Sequence, residues 1–567
     1  MSQNISLLPA PVINIGIVGH RLNRLSREPD VVRSELRDIL SQIKRHFSNG
    51  FKFEHHQVEP VSFRCLTGLA DGADQLGAEA ALSLGYELYC LAVDSASAQA
   101  MHDFNPTLCV SIDFRKNDDT CGYLALSEVL LARSDLLIVV WDEGPSGGGG
   151  GTTEVVVDAR RRGIPIVWVH AVDDREPLMS TTESQQKDGW IDFDVLELYR
   201  QIRPMVFPNY QGEDLIELQR YLQAHEGNWK WSTTNWLWNV LFQLDRKFRK
   251  SPTQRDLESK YGFDKEVNQL NSFFDVKRNF ADQMANNMAL RYRGSTTLMY
   301  LGSAVSVTFG VIGSLFYTDS TNVFEMPLFS VLEVLLILWI IGMFVIGKRH
   351  RWHGLWLQSR YLAEQLRVHR ALFPILGITS FMLEKHSEKH PNWANWLYRR
   401  YAAQVPLPVF EPNVMNTEFI LNYKEWAIDA LNEQIAWHHN KALTERHRVV
   451  LMQRIGMILF FLTALAAGAQ LVLREPAEIT SILTVIAVAF PAFAAATHAI
   501  ITQEESEKLA AKSRDMARVL EACRDSLVAT EDCAAVRMII TEAAELMAEE
   551  AQDWRRLIGS KPMNLPH

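Results

Sequence analysis

The chain contains 567 residues, 47% of them hydrophobic, and carries a formal net charge of -10 at pH 7. This length exceeds what one ordinary core accommodates, so several structural units are expected. The acidic balance excludes the basic surface typical of nucleic-acid binding, and six scattered cysteines without a CxxC pair indicate neither a metal site nor a disulfide framework.

The N-terminal part, residues 1–180, alternates short apolar runs with amphipathic stretches. The apolar runs are VINIGIVG, VSFRCLTG, ELYCLAVD, DLLIVVWD and IPIVWVH, and stretches such as VVRSELRDILSQIKRHF lie between them. This alternation predicts a Rossmann-like α/β domain with a parallel sheet covered on both faces. In such folds ligands bind beyond the carboxyl ends of the strands, and three predicted strand ends here carry suitable loops.

The first loop contains Gly19, His20 and Arg21. Gly19 permits a close backbone approach at the strand tip, and Arg21 is long enough to reach a phosphate. An ordinary tight turn with a surface arginine explains the same residues equally well when they are considered alone.

The second loop, TGLADGAD, leads directly into a predicted helix. Its glycines free the backbone, and the N–H groups at a helix start can hold an anion. Asp71 and Asp74 either cap this helix or hold a ribose hydroxyl, and we expect at least one of them to be a cap. The predicted ligand-binding residues of this loop are Thr67, Gly68, Asp71, Gly72 and Asp74.

The third loop follows the strand LLIVVW and contains five consecutive glycines, residues 147–151. A glycine run can be a flexible linker, but the loop between a buried strand and its crossover helix is normally short. A phosphate cradle at a helix N-terminus explains the glycines, the threonines and their position together. The predicted ligand-binding residues here are Asp142, Gly148, Gly149, Gly150, Gly151, Thr152, Thr153 and Glu154.

The segments GHR, TGLADGADQLGAEAA and GGGGGTTE, over residues 12–170, resemble the SLOG superfamily of Rossmann-like domains. The resemblance implies a nucleotide-derived ligand, such as an NAD- or ADP-ribose-related molecule or a cyclic nucleotide. The hydrolytic LOG branch carries PGGxGTxxE, with its glutamate three residues after the threonine, whereas Glu154 follows Thr152 by two. We therefore predict a sensor without catalytic residues; a nucleotide N-glycosidase or phosphoribohydrolase is the alternative.

Residues 181–280 are rich in tryptophan and charge, as in NWKWSTTNWLWNVLFQLDRKFRK. We predict a helical connecting region that docks the sheet domain against the rest of the chain. Aromatic and basic side chains also favour the membrane–water interface, so contact between residues 230–250 and anionic headgroups is the alternative.

Four apolar runs reach the length of about 20 residues that a membrane-spanning helix requires. They are residues 296–317, 328–347, 455–473 and 479–501, and short connections join them into two hairpins. This pattern predicts two transmembrane modules, residues 281–372 and 417–567. We interpret residues 373–416 between them as a cytoplasmic linker with little chemistry.

The distribution of lysine and arginine predicts the orientation of both hairpins. Basic residues flank the open end of each hairpin, whereas the two turns contain only Arg474. The start of the chain lacks a basic segment followed by an apolar core, so no cleaved signal peptide is expected. We predict a multi-pass protein of the bacterial inner membrane with both termini in the cytoplasm.

Small residues recur at i, i+4 spacing along the first span, at Gly302, Ser306, Gly310 and Ser314, and along the fourth, at Ala487, Pro491, Ala495 and Ala499. Such ridges allow close helix packing, either within one subunit or between the subunits of a homo-oligomer. Polar groups at membrane depth are costly unless they face protein or water. We therefore predict Glu333, Gly310 and His498 as pore or gate residues.

Each hairpin is entered and left by a long polar helix, and SRYLAEQLRVHR after the first corresponds to SRDMARVLEACR after the second. This spacing indicates a tandem duplication. The hairpins resemble SLATT-type two-transmembrane effector modules, which accompany SLOG domains in bacterial conflict systems. The resemblance implies a nucleotide-sensing membrane effector in antiphage defence, with a signal-producing enzyme as a partner. The alternatives are the anchored hydrolase and a ligand-regulated ion channel without a defence role.

Overall fold

The computed structural model describes twelve stretches of the chain. They are residues 7–48, 60–93, 95–113, 119–145, 150–181, 189–207, 210–224, 266–315, 328–379, 392–408, 414–473 and 477–566. All structural statements below concern these residues.

The N-terminal region folds around a nine-stranded sheet in the order β8-β7-β6-β5-β1-β2-β3-β4-β9. The strands are β1 Val12–Gly19, β2 Ser62–Thr67, β3 Glu87–Ala92, β4 Leu108–Asp113, β5 Leu136–Trp141, β6 Ile166–His170, β7 Leu178–Ser180, β8 Ile191–Asp192 and β9 Val414–Asn416. The predicted parallel α/β sheet is confirmed, because the seven neighbouring strands β6-β5-β1-β2-β3-β4-β9 all pair parallel. Strands β7 and β8 pair antiparallel, so the sheet is mixed at that edge.

Helices cover both faces of the sheet because alternate strand residues point to opposite sides. The helices are α1 Pro29–Phe47, α2 Ala73–Ser83, α3 Ser95–Phe104, α4 Asp119–Arg133, α5 Thr152–Arg161, α6 Val195–Val206 and α7 Gly212–Gln223. On one face, Ile13, Ile15 and Ile17 of β1 pack with α1, α2 and α6. The opposite face packs with α4, α5 and the C-terminal helices.

The rest of the described chain is mostly helical. Its helices are α8 Glu266–Leu315, α9 Leu328–Arg349, α10 Trp352–Leu372, α11 Trp393–Gln404, α12 Thr417–Val472, α13 Ala477–Glu504, α14 Ser506–Ala529 and α15 Cys533–Gly559. Helices α8, α9, α12 and α13 are long and apolar enough to cross a membrane, with mean hydropathy between 1.6 and 2.7 in their most apolar windows. The prediction of four such helices in two hairpins is confirmed.

The two hairpins repeat one architectural plan. In each, a long helix (50 residues in α8, 56 in α12) leads in, and the return helix is followed by another helix after a short break that contains one left-handed residue. These residues are Arg351, with a φ of 56°, and Glu505, with a φ of 51°. They are 154 positions apart, as are Arg360 and Arg514 of the matched sequence segments. The shared break supports the tandem duplication.

Residues 373–416 are more than the plain linker that we predicted. They contain α11, whose Trp393 and Tyr401 are fully buried, and β9, which pairs parallel with β4. Single-sequence patterns miss both elements because their partners lie far away in the chain. Strand β9, for example, has only three residues, and it pairs with residues Ser111, Ile112 and Asp113.

Helix α11 anchors the amino-terminal edge of the sheet through a buried ion pair. Arg400 Nη2 lies 2.6 Å from Asp135 Oδ1, and the two side chains are 6% and 1% exposed. Arg400 also donates to the carbonyl of Val12, while Asp135 Oδ2 accepts the N–H of Asn14. Nearby, Arg64 donates to carbonyl oxygens at the end of α11. The carboxyl ends of the strands are therefore at the opposite edge, away from this anchor.

The connecting region divides between two packing surfaces. Helix α6 packs on the sheet domain through Leu198 and Ile202. Helix α7 packs against α10 and α11 through Leu218 and Tyr221. Docking by part of this region is thus observed. Residues 226–250, which carry most of its tryptophans, lie outside the described residues, and their contact with headgroups stays a prediction.

Candidate functional site

A crevice is expected where the chain changes direction within the sheet. From β1 the chain passes through α1 to β2 on one side, whereas β5, on the other side of β1, leads through α5 to β6. The carboxyl ends of β1 and β5 therefore form a topological switch point, the position at which open α/β sheets bind ligands. The first and third predicted loops lie together there, at residues 19–21 and 142–154.

An ion-pair cluster joins these two loops. His20 Nε2 lies 2.6 Å from Asp142 Oδ1, and Arg24 Nη2 lies 2.7 Å from Asp142 Oδ2. Burial alone would raise the pKa of Asp142, but hydrogen bonds from the Gly144 N–H, His20 and Arg24 outweigh burial and lower that pKa to about 2. The Asp142 carboxylate is therefore ionised near neutral pH, and its ion pairs with His20 and Arg24 hold the first and third loops together.

Tyr123 of α4 links Arg21 to the glycine-rich loop. The Arg21 guanidinium donates to the Tyr123 hydroxyl over 3.1 Å. Gly150, with a φ of 79°, lies so close that an added Cβ would be 2.8 Å from the Tyr123 carbonyl carbon. At this position the loop requires both the left-handed conformation and the absence of a side chain.

The start of α5 is held by its own side chains. Thr153 Oγ1 donates to the Gly144 carbonyl over 2.8 Å and accepts the indole N–H of Trp141 over 3.0 Å. Glu154 accepts the N–H of Gly150 over 2.6 Å. The Glu154 carboxylate therefore stabilises the conformation of the glycine-rich loop. The N-cap residue of α5 is Gly151, which has no side chain to accept a hydrogen bond from the helix N-terminus.

Asp74 is a buried acceptor between the first two loops. It is 6% exposed, and its Oδ1 accepts the Gly19 N–H over 3.1 Å. Burial raises its pKa to about 7, although hydrogen bonds from Thr67, Ala70, Gly19 and Gly68 act in the opposite direction. Asp74 thus fixes the end of β1 against the second loop.

The expectation that Asp71 or Asp74 caps helix α2 is wrong. The N-cap is Gly72 and has no side-chain hydrogen bond. Asp74 instead turns back toward the N–H groups that precede the helix, because these donors are buried and need an acceptor. Asp71 is exposed in the second loop, and its contact with a ligand hydroxyl stays a prediction.

Gly72 allows the first two loops to touch. Its φ of 113° belongs to a region that favours glycine, and an added Cβ would lie 2.5 Å from the His20 carbonyl oxygen. The N–H of Ala73 donates to that same oxygen over 3.0 Å. The close approach is therefore a property of the backbone at Gly72.

Most predicted site residues fall within one region. The structure brings together Gly19, His20, Arg21, Thr67, Gly68, Asp71, Gly72, Asp74, Asp142, Gly150, Gly151, Thr152, Thr153 and Glu154. Gly148 and Gly149 lie outside the described residues. Sequence reasoning missed Arg24 and Tyr123. Arg24 follows Arg21 by one turn of the 3-10 helix Leu22–Arg24, a spacing that could have indicated it. Tyr123 had no such signal.

Comparison with known proteins gives this chain no family. No protein-family model matches it, and a search of curated proteins finds no match. Within the described ranges, moreover, no group of three or more His, Cys, Asp or Glu side chains is placed to hold a metal ion. The SLOG and SLATT resemblances therefore rest on the sequence segments quoted above.

The predicted pore residues occupy different environments. Glu333 of α9 packs over Gly310 of α8, whose added Cβ would lie 2.9 Å from the Glu333 carboxylate. These two residues therefore serve helix packing within one chain. His498 is exposed on α13. Gln470 donates to Thr484 across the second hairpin over 2.9 Å. A role of any of these groups in permeation stays a prediction.

Asp74→Asn should remove a pH dependence of stability between about pH 4 and pH 7. Folded Asp74 keeps its proton up to about pH 7, whereas the unfolded chain releases it near pH 4, so stability falls as pH rises through this window. The difference in unfolding midpoint between wild type and variant, measured across the window, reports this contribution. Asp71→Asn is the exposed control. A contribution that rises with pH would show that the four donors outweigh burial.

Proposed function

We propose that this protein is a ligand-gated membrane effector. A nucleotide-derived signal binds at the carboxyl ends of β1 and β5 and shifts the membrane helices toward a permeable arrangement. The observation that carries the proposal is one continuous apolar core: Val139 of β5 shares it with Leu372 of α10, Ile420 of α12 and Ile540 of α15. A rearrangement at the carboxyl ends of the strands would therefore be transmitted through this core to helices that are connected to both hairpins.

The chemistry of the site favours an anionic, phosphate-bearing ligand. The glycine-rich loop brings backbone to the carboxyl ends of β1 and β5 at the start of α5, where the helix dipole favours negative charge. Arg21 and Arg24 are exposed beside it and present guanidinium groups suited to phosphate. Asp71, exposed in the second loop, offers a carboxylate acceptor for a ribose hydroxyl. NAD- or ADP-ribose-related molecules and cyclic nucleotides combine these groups.

Helix α4 supports a physical connection between site and membrane region. Tyr123 near its start contacts the ligand loops, and Arg133 at its end donates to the Val405 carbonyl after α11. Between them, Glu128 lies 3.7 Å from Arg537 of α15. A ligand that moves Tyr123 thus acts on a helix that also contacts the C-terminal region.

Gating sets a requirement on binding. A ligand shifts the equilibrium only by its difference in affinity for the two states. Moving a population from 1:99 to 99:1 requires about a 10⁴-fold difference, or roughly 5.5 kcal/mol. Several charge-assisted hydrogen bonds of roughly 1.5–3 kcal/mol each, made only in the open state, supply that amount.

The cellular setting is part of the proposal. By its SLOG and SLATT resemblances, the protein acts as a homo-oligomer in the bacterial inner membrane, with both termini cytoplasmic. A partner enzyme produces the signal during phage infection, and membrane permeabilisation halts the infected cell. Neighbouring genes distinguish this setting from that of a regulated channel without a defence role.

Gly150→Val should abolish ligand binding while membrane insertion is retained. Added bulk collides with Tyr123 and blocks the backbone approach to a phosphate. The full chain is screened with NAD, ADP-ribose and cyclic nucleotides for a rise in unfolding temperature, since a ligand at 100 times its Kd stabilises by about 2.7 kcal/mol. Gly212→Val is the control, because Gly212 also has positive φ but nothing lies within 4 Å of its added Cβ.

Dye release from vesicles carrying the protein completes the test. The proposal requires release that depends on the stabilising ligand and is lost in Gly150→Val but not in Gly212→Val. If permeability never responds to ligand, and the wild-type chain hydrolyses nucleotides while Glu154→Gln does not, the anchored-hydrolase alternative replaces the effector.

A further inference from the structure

Four basic residues converge where the first hairpin leaves its apolar zone. Arg220 comes from α7, Arg291 from α8, and Lys348 and Arg349 from the end of α9. We call these four residues the basic cluster. Glu217, one turn before Arg220, pairs with Arg351 just beyond α9. The ring of Tyr292, next to Arg291, lies 4.8 Å from the ring of His353. Long-range folding thus brings positive charge from three helices to one region.

The pKa values of His350 and Arg220 are consistent with this concentration of positive charge. Burial lowers the pKa of His350, and the charges of Arg220, Arg291 and Arg349 lower it further. The pKa of Arg220 is likewise lowered by burial and then by the charges of Arg349 and Arg351, which together outweigh the opposing charge of Glu217. Cations that disfavour each other's charge in this way define a region of strongly positive potential.

The nearby carboxylates are largely engaged elsewhere. Glu213 and Glu217 of α7 both pair with Arg351, and Glu217 also accepts the indole N–H of Trp393. Asp214, on the same helix, is exposed. Glu217 partly offsets the charge of Arg220, but among the described residues no carboxylate forms an ion pair with a member of the basic cluster.

Two donors of the basic cluster are buried and lack an acceptor. Arg220 Nη1 and Arg291 Nε have no hydrogen-bond partner among the described residues. A buried charged donor without an acceptor is costly, more so than a neutral donor in the same position. Both atoms would be satisfied by one anion with several acceptor oxygens.

The depth of the basic cluster indicates the kind of anion. Arg291 precedes the apolar run that begins at residue 296 by five residues, roughly 7.5 Å along the helix. Lys348 and Arg349 immediately follow the apolar run of α9, whose Val345 and Ile346 are 53% and 45% exposed. An anion at this level lies in the headgroup zone, with exposed apolar surface beside it for acyl chains.

We propose that the basic cluster binds the phosphate-bearing headgroup of an anionic phospholipid in the leaflet that faces the sheet domain. This site is separate from the crevice between β1 and β5 and does not depend on the proposed effector function. Since α7 carries both Arg220 and the Glu217 that holds Arg351, the bound lipid fastens α7 to the exit of the first hairpin. Anionic lipid is then a structural requirement of this junction.

The test compares lipid retention by the full-length protein in bilayers. Purified protein is placed in phosphatidylcholine bilayers with and without phosphatidylglycerol, and the preference for spin-labelled phosphatidylglycerol is measured. Arg220→Gln combined with Arg291→Gln should lower the affinity for that lipid about tenfold or more, because two charge-assisted contacts are lost. The matched control combines Arg161→Gln with Arg556→Gln, whose side chains are 73% and 72% exposed.

Each outcome decides the proposal. An equal preference in the glutamine pair and the control overturns it. A second arm adds inorganic phosphate to phosphatidylcholine bilayers: if phosphate displaces the labelled lipid and stabilises the wild type as well as phosphatidylglycerol does, the occupant is a soluble anion and the lipid assignment is wrong. If the glutamine pair does not fold, Arg220→Lys with Arg291→Lys replaces it. The proposal then requires a reduced preference, and an unchanged one overturns it.

Discussion

Arg400→Met is expected to destabilise the docking of the sheet by about 3–5 kcal/mol, because it leaves the buried Asp135 carboxylate without its cation. The Asp135 side chain is 1% exposed, and among the described residues it would retain the N–H of Asn14 as its donor. Amide hydrogen exchange of β1 and β5 in the full chain measures the effect. Exchange should accelerate roughly a hundredfold or more if opening follows undocking from α11.

Two further variants separate loss of the ion pair from loss of packing. Arg161→Met removes an exposed arginine that pairs with Asp158 in its own helix, and it should change exchange little. Asp135→Leu combined with Arg400→Met removes both charges and should restore much of the loss. A double variant as unstable as Arg400→Met alone would mean that Arg400 stabilises the docking mainly through its packing and its bond to Val12.

Gly72→Ala is expected to cost about 2–5 kcal/mol and to remove ligand binding. The φ of 113° is unfavourable for alanine, and the new methyl group would press on the His20 carbonyl and the Leu22 N–H. Relief of this contact must move the loop that carries His20 and Arg21. The measurements are the unfolding midpoint of the full chain and its ligand-induced rise.

Gly85→Ala is the matched control for backbone strain. Gly85 also has positive φ, 72°, but its added Cβ would meet only the flexible Lys44 Nζ, at 3.6 Å. This variant should cost about 1–2 kcal/mol, the price of the left-handed conformation alone, and retain ligand binding. Equal losses in the two variants would show that the contact between the first two loops contributes nothing beyond strain.

Patterns local in the sequence predicted much of this fold. The apolar runs around Ile15 and Ile138 identified central strands, because strands buried on both faces are continuously apolar. The four apolar helices were equally evident from length. Strand β9 and helix α11 could not be predicted, since their identity depends on Ser111 and Asp135, which lie hundreds of residues away.

The candidate site was predictable as a set of loops but not as a set of contacts. Glycines marked the strand ends because few other residues permit such turns. The hydrogen-bond partner of each carboxylate could not be read from the local sequence. Asp74, for example, has the sequence position of a helix cap, yet it accepts the N–H of Gly19 at the end of β1. Tyr123, likewise, joins the site only because α4 crosses the sheet beside Arg21.

The two membrane helices of the second hairpin differ in stiffness, because one is continuous and the other contains a proline. Helix α12 runs without interruption or proline from Thr417, beside the sheet, to Val472 at the far end of its apolar run. At 1.5 Å per residue this is a stiff rod about 84 Å long, so a tilt of about 5° at its base displaces its tip by about 7 Å. The return path contains Pro491 and breaks at Glu505. The second hairpin thus pairs one continuous helix with a return path that can bend at two positions. A small rotation of α12 near the sheet would therefore produce a larger displacement at the opposite surface of the membrane.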